Sequence, residues 1–155
     1  MSKNIKVGIV GGAGYTGGEL IRLLVHHPYV AVSFIHSRSN AGKPVYAVHE
    51  DLIGETDWQF TGDLNQDVDV VFLCVGHGEA KKFLAENPFD ERIKIIDLSQ
   101  DFRLSRSSQL AARSFVYGLP ELNRDAIRSA SNIANPGCFA TAIQLGLLPW
   151  PKLGY

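Results

Sequence analysis

A mostly parallel α/β sheet with crossover helices is the fold class this sequence predicts. Three observations predict it. Short β-branched runs alternate with helical patterns along the chain, the rhythm of repeated βα units. The runs IKVGIV and DVDVVFLCV are apolar enough to be buried on both faces, as strands covered by helices on two sides must be. A glycine cluster, GGAGYTGG, stands directly between the first strand-like run and the first helical one.

The elements follow in order. IKVGIV (5–10) is the first strand, and GELIRLLVHH the first helix, with Leu20, Leu23 and Leu24 on its apolar face and Pro28 ending it. VAVSFIH (30–36) is the second strand. Gly42, Pro44 and Gly54 mark a loop that leads to a short strand near 58–61. Residues 67–75 read as a central strand, GHGEAKKFLAEN as a turn and helix closed by Pro88, and 93–98 as another buried strand. Beyond this the rhythm loosens. DFRLSRSSQLAARS reads as a loop with at most a short helix, and FVYGLPELNRDAIRSA as a strand fragment, a turn and a helical turn or two. SNIAN (131–135) is a last short strand, and CFATAIQLGLLPW begins a helix that runs into Pro149 and Pro151.

Length and composition narrow the function classes. A chain of 155 residues supports one domain with a real core, here residues 1–148, leaving 149–155 as the start of a linker. Fifteen Lys and Arg against sixteen Asp and Glu give a net charge of -1, no footprint for nucleic acid or an acidic membrane surface. No apolar run approaches the ~20 residues that span a bilayer. The start, MSKNIKVGIVGG, runs straight into a strand and does not read as a signal peptide. Two cysteines, Cys74 and Cys138, make no disulfide framework, so a reducing cytoplasm is the simplest location. His36 and His49 stand at no metal-ligand spacing to any cysteine or acid, and no metal site is expected.

The glycine cluster contains Gly12-x-Gly14-x-x-Gly17 between a strand and a helix. In that context it predicts a dinucleotide site of Rossmann type. Glycine allows the tight turn and the close approach to a pyrophosphate, and the helix N-terminus supplies free N–H groups. NAD-binding versions place an acid near the end of the second strand, to accept from the ribose 2′-hydroxyl. Here no acid lies between Val30 and Lys43, and Ser37, Arg38 and Ser39 occupy the position. An arginine fork flanked by hydroxyls suits a 2′-phosphate, so NADP is favoured over NAD.

Other candidates fall on the same sheet edge. Gly76 and Gly78 in VGHGEA permit close backbone approach, and His77 is placed to touch the cofactor or to cap the next helix. In DLSQDFR, Ser99 is a candidate for the nicotinamide side and Arg103 for an anionic substrate group, unless it pairs with Asp97 or Asp101. Cys74, inside VVFLCV, reads as core filling, and His26 and His27 as a helix end. Cys138 follows Asn-Pro-Gly at the first turn of a helix, where the N-terminus favours a thiolate. A lone cysteine is more often a packed apolar residue. Beside an NADP site, the nucleophile reading gains: a thiol next to a nicotinamide implies thioester or thiohemiacetal chemistry between an acyl compound and an aldehyde.

The segments GGAGYTGGEL, SRSNAGKPV, DLSQDFRL, YGLPELN and NPGCFATA, in this order, resemble the N-acetyl-γ-glutamyl-phosphate reductases of arginine biosynthesis over essentially the whole chain. The resemblance implies that Cys138 attacks the acyl phosphate to form a thioester, which NADPH reduces to N-acetylglutamate 5-semialdehyde. It implies a cofactor turn at Gly12, Ala13, Gly14, Tyr15, Thr16 and Gly17, a 2′-phosphate site at Ser37 and Arg38, and a substrate position beside Asn135 and Arg103. It also implies that the general acid/base histidine, a second substrate-binding and oligomerising domain and a returning helix lie beyond Tyr155. On that reading the 155 residues alone bind NADP(H) weakly, do not turn over, and leave an apolar strip that invites self-association. A non-catalytic NADP-binding module, or a reductase for the aminoadipyl analogue, is the alternative.

Overall fold

The computed structural model describes residues 4–152. Eight strands form one sheet in the order β3-β2-β1-β4-β5-β8-β7-β6. Five of them are β1 (Ile5–Val10), β2 (Val30–His36), β3 (Phe60–Thr61), β4 (Val70–Leu73) and β5 (Lys94–Asp97). Farther along come β6 (Gln109–Leu110), β7 (Arg113–Tyr117) and β8 (Asn132–Ala134). Every pairing is parallel except β6 with β7. Helices α1 (Tyr15–Val25), α2 (Glu79–Glu86) and α3 (Pro120–Ser129) are the crossovers after β1, β4 and β7, and α4 (Cys138–Leu147) and α5 (Pro149–Lys152) follow β8.

The period-2 alternation of β1 sends Val7 and Ile9 to one face and Val10 to the other, and both faces are buried. Ile21 and Leu24 of α1 close the first face with Val45 and Leu52 from the segment between β2 and β3 and with Phe60 of β3. Leu84 of α2 closes the second with Val71, Ile93, Phe102 and Phe115. Because all the parallel strands run the same way, their carboxyl ends lie along one edge, and the loops that leave them form the cleft where such sheets bind ligands.

Three expectations need correction. Leu23 is 73% exposed; the buried face of α1 carries Gly17, Gly18, Ile21 and Leu24, so small residues rather than a third leucine mark the side against the sheet. The stretch 101–114, expected as a loop, contains the β6–β7 hairpin, turned by Ala111 at φ 50° without the glycine that would have announced it. The helical turn or two expected near 120–129 is there: α3 is broken by a kink at Asn123, whose φ of -126° is not helical. The helix expected to run on to the prolines breaks after Leu147, and α5 occupies most of the expected linker, whose residues 153–155 lie outside the described residues.

Helix α4 stands apart. None of its residues is buried, and Phe139, Ile143, Leu145 and Leu147 are exposed along it, with Trp150 just beyond. Among the described residues no helix is long and apolar enough to cross a membrane.

Candidate dinucleotide and thiol site

The chain turns from β1 into α1 through Gly11 to Gly14. Gly11 sits at φ +79°, and a side chain there would strike the Cys74 carbonyl at the end of β4. The N–H groups of Gly11 and Gly12 both donate to the His36 carbonyl at the end of β2, 3.1 Å each, fixing the turn between its two neighbouring strands. Gly14 is the N-cap of α1, with no side-chain cap. The first-turn N–H groups of Tyr15, Thr16 and Gly17 therefore lack intrahelical partners, the arrangement that receives an anion. Gly17 packs so closely on the turn that a Cβ would lie 2.6 Å from the Gly11 carbonyl oxygen.

At the end of β2, Ser37 is buried; its N–H donates to Thr61 O at 2.9 Å, and its Oγ accepts from Asn40 Nδ2 at 3.3 Å. Ser37 thus shapes the loop, while Arg38 reaches outward. Arg38 lines a cleft of about 340 Å³ with Val75, Gly76, Lys82 and Phe83, and with two acidic residues, Glu79 and Glu86. The His36 ring lies 5.8 Å from that of Phe83, one of the residues lining the cleft. Burial, reinforced by the Arg38 charge, pushes the His36 imidazole below its usual pKa.

The next loops are tied to one another. His77 accepts the Gln100 N–H at Nδ1 (3.2 Å), so it braces the β5 loop instead of capping α2. The cap comes from Asp101, whose carboxylate takes the Gly78 N–H at 2.7 Å and the Lys81 N–H at 3.2 Å. Ser99 is fully buried and donates to Asp97 Oδ2 at 2.8 Å, so its hydroxyl turns into the loop rather than toward the cleft. Burial raises the Asp97 carboxyl above its ordinary range, and the two Ser99 hydrogen bonds oppose that rise.

Arg103 does not pair with Asp97 or Asp101. Its Nε donates to Asn135 O and its Nη2 to Leu98 O, both at 2.8 Å, which bolts the β5 loop to the β8 loop. Its Nη1 lies so close to Gly137 that a Cβ there would come within 2.7 Å. Asn135 N–H donates to Asp97 O at 2.8 Å, completing the joint. Gly137 caps α4, and Cys138 is the first helical residue, exposed at the positive end of the helix. Cys74 is its opposite: buried beneath the glycine turn, its thiol is pushed up to about 12 by burial, against a hydrogen bond from Thr16.

The structure thus carries Gly12 to Gly17, Arg38, Gly76, His77, Arg103, Asn135 and Cys138 on the loops and first helical turns of one sheet edge. Sequence reasoning overlooked Gly11, Asp101 and His49. His49 is buried, with Nε2 2.8 Å from Gly12 O. A positive-φ glycine is hinted at by the GG pair, but Asp101 and His49 act on groups distant in sequence, and no local signal marks them. Among the described residues no histidine, cysteine or carboxylate cluster could hold a metal ion.

Fold and edge together define a dinucleotide-binding α/β domain that presents an accessible thiol. Residues 6–130 match the family described as semialdehyde dehydrogenase, NAD binding domain, and the chain belongs to that family. Among similar proteins, the N-acetyl-gamma-glutamyl-phosphate reductase of Christiangramia forsetii is 56% identical over 150 residues, covering 97% of this chain and 46% of that protein. The one of Bacteroides thetaiotaomicron is 56% identical over 149 residues, 96% of this chain and 45% of that protein. The chain therefore spans about half the length of the curated relatives it matches. Among solved structures, the aspartate semialdehyde dehydrogenase of Candida albicans with NADP superposes with a TM-score of 0.68 at 18% identity, over 97% of this chain and 47% of that one. The Vibrio cholerae aspartate semialdehyde dehydrogenase II superposes at 0.66 and 21%, over 95% of this chain and 46% of that one. These structures share the fold.

Proposed function

We propose that this chain is the cofactor-binding and nucleophile-bearing part of a cytoplasmic N-acetyl-γ-glutamyl-phosphate reductase that uses NADPH. The observation that carries the reading is the exposed Cys138 at the first turn of α4, on a loop bolted by Arg103 to the edge that holds the glycine turn. The relatives' identity supports the substrate, because a match over 97% of the chain includes both the turn and Cys138. NADP fits the residues present: free N–H groups open α1, no carboxylate ends β2, and Arg38 faces the adjoining cleft. When bound there, the cofactor supplies the hydride.

The chain's own groups do the rest. The Cys138 sulfur adds to the acyl carbon, the carbon–oxygen bond to phosphate breaks, and phosphate leaves with the electron pair, giving a thioester on Sγ. After hydride addition, the oxyanion re-forms the carbonyl, the carbon–sulfur bond breaks, and the aldehyde departs while Cys138 keeps the electron pair. Gly12 to Gly17, Ser37, Arg38, Gly76 and His77 frame the cofactor, with Ser99 shaping the loop at its nicotinamide end. Asn135 and Arg103 hold the substrate side. Residues 1–148 form this unit, 149–155 lead onward, and the whole enzyme is a homo-oligomer acting on a small acyl phosphate. The test is Cys138→Ser in the whole enzyme: reductase activity is expected to fall at least about 10³-fold with NADP⁺ affinity unchanged. Retained activity would refute the reading.

A further inference from the structure

We infer that His49 is a positioning residue for the dinucleotide turn, and that Gly18 is glycine to admit it. The inference rests on the dinucleotide reading above and adds to it a residue far from the glycine motif. His49 is 8% exposed, and its Nε2 lies 2.8 Å from the Gly12 carbonyl oxygen. A carbonyl only accepts, so the Nε2–H form of the ring makes this bond. A trans peptide points its C=O and N–H in opposite directions. Holding Gly12 O against His49 therefore turns the Ala13 N–H the other way, and that N–H has no partner among the described residues. One hydrogen bond thus sets the plane of the peptide that, together with the first turn of α1, would meet a pyrophosphate.

The ring has no freedom to leave. A Cβ at Gly18 would come within 2.5 Å of His49 Cε1 and 2.7 Å of Nδ1, so the ring fills the space an alanine would need. Phe60 flanks it, with ring centroids 6.3 Å apart. The segment that follows His49 is latched to α1 and to its C-cap residue. Asp51 takes Arg22 in two hydrogen bonds of 2.5 and 2.7 Å, and Glu55 meets His26 at 2.8 Å. GxGxxG explains Gly12, Gly14 and Gly17; the fit of His49 explains Gly18.

The test titrates NADP⁺ and NAD⁺ calorimetrically into the whole enzyme and its His49→Leu, His49→Gln, Gly18→Ala and Arg38→Ala variants. Because the pyrophosphate is common to both cofactors, His49→Leu and Gly18→Ala are each expected to weaken both by about tenfold. The double variant should lose no more than either single one. His49→Gln, which restores an N–H at the same reach, should recover most of the loss, which a purely structural role would not give. Arg38→Ala should weaken NADP⁺ alone. Independently of any variant, long-range nitrogen NMR should find the His49 ring protonated at Nε2. Unchanged affinities in His49→Leu, or an Nδ1–H ring, would overturn this inference while leaving the dinucleotide reading intact. A wild-type enzyme that binds neither cofactor would overturn both.

Discussion

Two cysteines of identical chemistry meet opposite surroundings here. Cys138 is exposed at a helix start, whereas Cys74 is buried with its thiol held near 12. Only the thiolate alkylates, so iodoacetamide at pH 7 is expected to label Cys138 at least about 100-fold faster than Cys74. Equal, slow labelling would speak against an available nucleophile. Asp97 offers a second test. Its folded-state pKa lies above the ordinary 3.8, so the folded chain holds this proton more tightly than the unfolded one. Its contribution to stability is then full below 3.8 and is lost as pH rises through the raised value. The stability difference between wild type and Asp97→Asn is expected to shift against wild type over that window in urea melts, and a flat difference would contradict it. At this scale the sequence shows what is local: the glycine turn after β1, the arginine that follows β2 and the cysteine that opens α4. It was silent where the partner is distant. His49 acts 37 residues from Gly12 and Asp101 acts 23 from Gly78, and only the folded sheet brings such pairs together.

The parallel strands were legible because burial on both faces writes continuous β-branched runs, and the strand ends follow from the glycines and prolines beside them. The stretch between β5 and β8 was legible only in part: β7 and β8 fall where strands were expected, whereas β6 was read as loop. The two-residue strand β6 buries too little to impose a pattern, and α3 buries no side chain fully. What secures this region is aromatic. Phe102, 1% exposed, stacks on Phe115 of β7 with ring centroids 3.8 Å apart, while Lys81 of α2 stands 5.2 Å over its ring. Phe102 sits beside Arg103 and anchors the loop that carries it. Phe102→Ala is expected to cost about 3–5 kcal/mol in denaturant unfolding, the range for an aromatic removed from a packed core. A loss below about 1 kcal/mol would mean that the loop is held by its hydrogen bonds alone.

Across the whole molecule, the parallel sheet collects residues scattered from Gly11 to Cys138 onto one edge, and the bonds between loops make that edge a single structure. Fold class and edge were legible from the order of elements, because parallel strands joined by helices leave little choice about where their carboxyl ends gather. The exposure of α4 was not legible, since an apolar helix reads the same in sequence whether covered or bare. The central claim is that Cys138 carries the acyl group. It is tested most directly by mixing the whole enzyme with N-acetylglutamyl phosphate in the absence of NADPH and identifying the modified residue by mass spectrometry. The expected result is release of about one phosphate per active site, with an N-acetylglutamyl group on Cys138 that NADPH then removes as aldehyde. Aldehyde formation with Cys138 never acylated would contradict the account.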